Sequence, residues 1–144
     1  RSAAVVRPPP SPTQEGAAPL PAAGRVVTRY GEADRLGATS RGLTIQTRAG
    51  AIVTSPFDGS VVFAGPFRGY GLILIVEHAS GYHSLIAGLG RIDARVGQQV
   101  LAGEPVGAMA TTSESPDLYF ELRRNGQPIN PQRGIAVSDG KGQG

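Results

Sequence analysis

Residues 116–131, Pro-Asp-Leu-Tyr-Phe-Glu-Leu-Arg-Arg-Asn-Gly-Gln-Pro-Ile-Asn-Pro, constrain this chain more than any other stretch. They read as a strand, a tight turn and a return strand. Side chains alternate faces along a strand, so Leu118, Phe120 and Leu122 point one way and predict a core. Asp117, Tyr119, Glu121 and Arg123 then share the opposite face. That face is polar and carries an aromatic that buries its ring while keeping its hydroxyl wet. Such a face is compatible with a binding surface, although half-exposed antiparallel strands carry similar ones routinely.

The rest of the central chain follows the same grammar of short strands and turns. Strands are expected at 24–30, 42–46, 51–54, 60–64 and 82–86. Pro56-Phe57-Asp58-Gly59 is a β-turn signal that launches one of them. Leu72-Ile73-Leu74-Ile75-Val76 is a continuous apolar run, as expected of a strand covered on both faces. Residues 96–100 and 102–107 look like two tight hairpin corners. No segment sustains helical periodicity, and the 21 Gly and 12 Pro suit a turn-rich fold. The expectation is an all-β domain over 24–136, two stacked sheets with a groove between loops.

Residues 1–23 are Pro- and Ala-rich with little apolar material, and are expected to be a flexible linker. Residues 137–144 are expected to be a disordered tail. The chain begins at Arg1 rather than Met, which is expected of an excised fragment with any signal peptide upstream. No window is apolar enough to span a membrane. The absence of Cys excludes disulfides and thiolate metal sites. The net charge of +3 is mild, and the basic residues are not interleaved with aromatics, which argues against nucleic-acid binding.

Several motifs in order carry a family resemblance: Arg41-Gly42-Leu43-Thr44-Ile45, Asp58-Gly59-Ser60-Val61-Val62-Phe63-Ala64, Gly69-Tyr70-Gly71 through Glu77-His78, Val96-Gly97-Gln98-Gln99-Val100 and the closing segment. Over roughly residues 24–131 the chain resembles the LytM (lysostaphin-like) zinc endopeptidases. Active members of that family bind zinc with a His-x-x-x-Asp pair and the second His of a His-x-His pair, and a further His polarises the attacking water. The corresponding positions here are Ser40 and Thr44, Asp117 and Tyr119, and Gly88. All of them have changed, and Asp117 alone is a competent ligand, whereas zinc normally takes three protein ligands. The resemblance therefore implies no catalytic residue, no metal and no cofactor.

The run from Tyr119 to Arg124, with Gly69-Tyr70-Gly71 and Asn130-Pro131, is most similar to the degenerate branch, the EnvC-type murein hydrolase activators. That resemblance implies a periplasmic protein that switches on N-acetylmuramoyl-L-alanine amidases during septal peptidoglycan splitting. A regulatory helix of the amidase would dock in the vacated groove. An N-terminal coiled coil, absent from this chain, would link it to an upstream membrane division complex. On this reading Tyr70, Ile86 and Tyr119 are anchors, Arg41 and Arg123 are rim cations, and Thr44 is groove floor. Asp34, Arg35 and residues 89–95 are candidates for a gate.

Other readings compete. A peptidoglycan-binding module without activator role is permitted by the groove aromatics. A zinc endopeptidase with rearranged ligands fails on ligand count. A lipoyl-type carrier needs a Lys at a hairpin tip, and Lys141 lies in the tail. His78 is expected to be structural. His83 and Ser84 are neighbours on a strand and face opposite sides, which is wrong for a nucleophile and its base.

Overall fold

The computed structural model describes residues 8–137. Among them are ten strands: β1 (Arg25–Thr28), β2 (Leu43–Gln46), β3 (Ile52–Thr54), β4 (Gly59–Phe67), β5 (Gly71–Glu77), β6 (Tyr82–Ile92), β7 (Gln99–Val100), β8 (Pro105–Met109), β9 (Asp117–Arg124) and β10 (Gln127–Ile129). All pair antiparallel, in the order β1-β2-β9-β6-β5-β4-β7, with β10 on β9 and β3 on β8. Helical structure is confined to two 3-10 turns, 79–81 and 131–133. The fold is all-β, as the residue pattern requires.

The two expected layers are joined into one hydrogen-bonded network, and β6 is the reason. Its first half pairs with β9, from Tyr82↔Arg124 to Ala87↔Tyr119, and its second half pairs with β8. The switch falls at Gly88, whose φ of +96° lets the strand change direction. The turn from β9 to β10 uses Asn125 and Gly126, both at positive φ (50° and 81°), as a two-residue hairpin demands.

Burial follows the strand alternation. Leu118, Phe120 and Leu122 are fully buried and join Leu43, Ile45, Leu74, Val76 and Ile86 in one core. Leu72-Ile73-Leu74-Ile75-Val76 departs from the expectation of cover on both faces. Leu74 and Val76 enter the core, whereas Ile73 and Ile75 line an open cleft on the other side. A strand can thus be apolar on both faces when one faces the core and the other floors a groove.

The expectation of a linker over 1–23 needs correction in its second half. Pro12, Ala18, Pro21 and Ala22 are buried. Ala18 bridges Ile135 in parallel, and the Thr54 N–H donates to the Pro21 carbonyl at 2.7 Å. These small and cyclic residues pack because their backbone comes close to the domain, which needs no large apolar side chain. Residues 1–7 of the expected linker and 138–144 of the expected tail lie outside the described residues. Val137 packs against the core.

Candidate functional site

The alternating face of β9 opposite the core forms one wall of a cleft of about 760 Å³. Cross-strand register builds its floor in rows. Ile73 of β5 pairs with Ala87 of β6, which pairs with Tyr119 of β9, which pairs with Thr44 of β2. The next row runs from Phe63 of β4 through Ile75 and Leu85 to Glu121. The cleft is therefore apolar on the β4–β5–β6 side and polar on the β9–β2 side. Phe67, at the end of β4, and Tyr70, in the β4–β5 turn, extend the apolar side with rings 6.0 Å apart. Asp34, Thr39, Ser40 and Arg41 close the opposite rim.

Five of the six residues expected in the groove line this cleft: Arg41, Thr44, Tyr70, Tyr119 and Arg123. Ile86 does not. Its side chain is 0% exposed and belongs to the core, and its neighbour Leu85 lines the cleft instead. Ile86 pairs with Phe120, a core residue, so the register of β6 on β9 puts it on the inner face.

Glu121 is the feature that the residue pattern left without a role. It is 7% exposed, and its carboxylate accepts the Tyr119 hydroxyl at 2.5 Å and the Arg123 Nε–H at 2.7 Å. Alternate residues of one strand face thus form a Tyr–Glu–Arg chain along the wall. Burial and the bond to Glu121 push the Tyr119 hydroxyl well above the ordinary tyrosine range, so it stays protonated.

The gate candidates divide. Asp34 Oδ1 accepts the Leu36 and Ala38 N–H groups at 2.9 Å each and shapes the rim turn. Arg35 pairs with Asp117 at 3.0 Å, while Asp117 Oδ1 is buried without a hydrogen-bond partner among the described residues. Residues 89–92 are part of β6 rather than a loop, and Leu89 is buried.

The side chains present do not fit a zinc ion. The Ser40 hydroxyl is closed on Gly42, donating to its carbonyl at 2.9 Å and accepting its N–H at 3.2 Å. Tyr119 spends its proton on Glu121, Asp117 is engaged by a guanidinium, and Gly88 has no donor. Among the described residues no three His, Cys, Asp or Glu side chains gather where they could share a metal ion.

His78 lies elsewhere, in a satisfied buried setting. Its Nδ1 donates to the Asp58 carbonyl at 2.7 Å, and the Ser84 hydroxyl donates to its Nε2 at 2.8 Å. Phe57 meets the ring edge-on, 5.2 Å between centroids. Ser84 is fully buried on the face away from His83, which instead stands 3.7 Å from Glu77. Burial holds the His78 pKa below its ordinary value of 6.5, which favours the neutral ring in the folded state. The unfolded chain then binds the extra proton first as pH falls. This contribution to stability is complete above pH 6.5 and is lost as pH drops toward and through the lowered folded value. Urea unfolding from pH 8 to about pH 5 is expected to show this loss, and His78→Gln to flatten it; an unchanged slope in the variant would overturn the assignment.

Comparison with known proteins fits this geometry. The model of peptidase family M23 matches residues 38–131, about two-thirds of the chain. The chain belongs to peptidase family M23. Within that family it is 38% identical over 119 residues to the murein hydrolase activator EnvC of Escherichia coli strain K12, covering 81% of this chain and 28% of the relative. It is 33% identical over 115 residues to the murein hydrolase activator NlpD of the same strain, covering 78% of this chain and 30% of the relative. The chain thus spans less than a third of either relative's length. Among solved M23 folds, a zinc-containing peptidase from Vibrio cholerae superposes with a TM-score of 0.69 at 26% identity, over 83% of this chain and 39% of that one. The resemblance to the LytM family and to EnvC-type proteins, read from the motifs, is thereby borne out.

Proposed function

We propose that this M23 domain is a non-catalytic activator of periplasmic N-acetylmuramoyl-L-alanine amidases that split septal peptidoglycan during cell division. It would cut nothing itself, and would take a regulatory helix of the amidase into the cleft. One observation carries this reading. At the positions where active relatives hold metal ligands, the cleft has Ser40, Thr44 and Tyr119, beside an apolar floor and two arginines. An amphipathic helix matches that division, its apolar face on Ile73, Ile75, Leu85 and Tyr70 and its polar face toward Arg41 and Arg123. Activation is then a population shift, because binding favours the amidase conformation in which that helix has left its own active site. An upstream coiled coil would tie the domain to the membrane division complex.

The test is dye release from labelled murein by candidate amidases with and without this domain. Tyr119→Ala and Arg123→Ala are each expected to reduce stimulation by about 1–3 kcal/mol in apparent affinity, as interface anchors do. Each variant also takes one partner from the nearly buried Glu121, so a modest drop in thermal midpoint is expected, and stimulation is compared at a temperature where the variants are folded. Full stimulation by both variants would count against this cleft. Cleavage of peptide crosslinks by the domain alone, abolished by chelation, would sink the non-catalytic reading. The competing module that only binds peptidoglycan predicts retention on isolated sacculi without any amidase stimulation.

A further inference from the structure

Among the described residues, the cleft holds two carboxylates and two guanidiniums, and they are not used alike. Both carboxylates are committed inside the domain. Asp34 Oδ1 is taken by two backbone N–H groups of its own turn, and Glu121 is nearly buried between Tyr119 and Arg123. The guanidiniums are not consumed. Arg41 is exposed and has no ion pair among the described residues. Arg123 gives Glu121 its Nε–H, and among the described residues its two terminal nitrogens make no hydrogen bond to a carboxylate.

From this we infer that Glu121 is a positioning residue for partner recognition: it holds Arg123 by its inner nitrogen, turning the outer fork into the cleft to grip a carboxylate on the docked partner. The inference rests on the activator reading above and names the partner's chemistry at that point. Two features make the hold effective. Glu121 sits two residues from Arg123 on one strand face, so the pair needs no loop to keep its register. The second carboxylate oxygen is fixed by the Tyr119 hydroxyl, which stops the carboxylate from rotating away. A guanidinium pinned at Nε has lost most of its rotamer freedom before binding, and its terminal N–H pair matches a carboxylate end-on. Arg41 on the far rim adds a second cation, so the cleft presents charge complementary to an acidic helix face.

The test is a double-mutant cycle, with affinity for a stimulated amidase measured by calorimetry. Glu121→Ala is expected to weaken binding about tenfold in the parent domain and less than about twofold in Arg123→Ala, because it acts through Arg123. Glu121→Gln, which keeps an acceptor for Nε, should recover most of the loss. Rising salt should weaken the parent complex more steeply than the Arg123→Ala complex. Equal losses from Glu121→Ala in both backgrounds, or none in the parent, would overturn the inference. NMR on the free domain provides an arm without partner: the Arg123 Nε–H signal should be protected from exchange in the parent and unprotected in Glu121→Ala. Protection in both overturns the positioning role. A parent domain that binds no amidase instead overturns the activator reading and, with it, the acidic partner.

Discussion

Gly88→His is expected to destabilise the domain by about 2–6 kcal/mol and not to create a metal site. The position is where the active LytM pattern has its water-polarising His, so the substitution looks like a reversion. The backbone does not permit it. Gly88 sits at φ +96°, where a side chain is strained, and a Cβ there would lie 2.6 Å from the carbonyl oxygen of Asp117. That oxygen belongs to β9, where Asp117 is paired with Gln46 of β2, so it cannot step aside without disturbing the β2–β9 ladder. The cost is the sum of left-handed strain and overlap, each worth about 1–3 kcal/mol. Adding Ser40→His, Thr44→Asp and Tyr119→His should not rescue it. Urea unfolding and the zinc content of the purified variants decide the matter. A variant as stable as the parent, carrying one equivalent of zinc, would show that the backbone at Gly88 is no barrier to a metal site.

Phe120→Ala is the second large effect, an expected loss of about 3–5 kcal/mol, against a smaller loss of about 1–3 kcal/mol for Tyr119→Ala next to it, which takes a hydrogen bond from Glu121. Phe120 is fully buried and pairs with Leu43 on one side and Ile86 on the other, so removing its ring empties the middle of the core. Tyr119 stands on the cleft face, where its ring contributes to a surface rather than to packing. Thermal melts of the two variants side by side read the contrast. The expectation is an early melt for Phe120→Ala and a clearly smaller shift with impaired amidase stimulation for Tyr119→Ala. Similar melts for both would mean that the two faces of β9 are not divided as described.

That division was legible in the residues because β9 alternates cleanly: apolar at 118, 120 and 122, polar at 117, 121 and 123. Ile86 was misassigned for the opposite reason. Leu85, Ile86 and Ala87 are all apolar, so the run has no parity of its own, and only pairing with Phe120 decides which side chain turns inward. The apolar half of the cleft was hidden in the same way, since Ile73 and Ile75 sit in an all-apolar run and only their register beside Ala87 and Leu85 places them in the cleft. Glu121 was placed on the right face, but its role depends on a bond geometry that spacing alone does not reveal. The buried segment around Ala18 and Ala22 carried no signal at all, because Pro and Ala are also what spacers are made of.

The shared strand β6 has one more consequence. Since it is a rung of both ladders, the floor of the cleft cannot bend without pulling on the β8 side of the molecule as well. For the docking proposed above, a cleft braced in this manner would be a stiff mould: the entropy of ordering and any refolding would fall on the partner, and the speed of engagement would be set by how often that partner adopts the right shape.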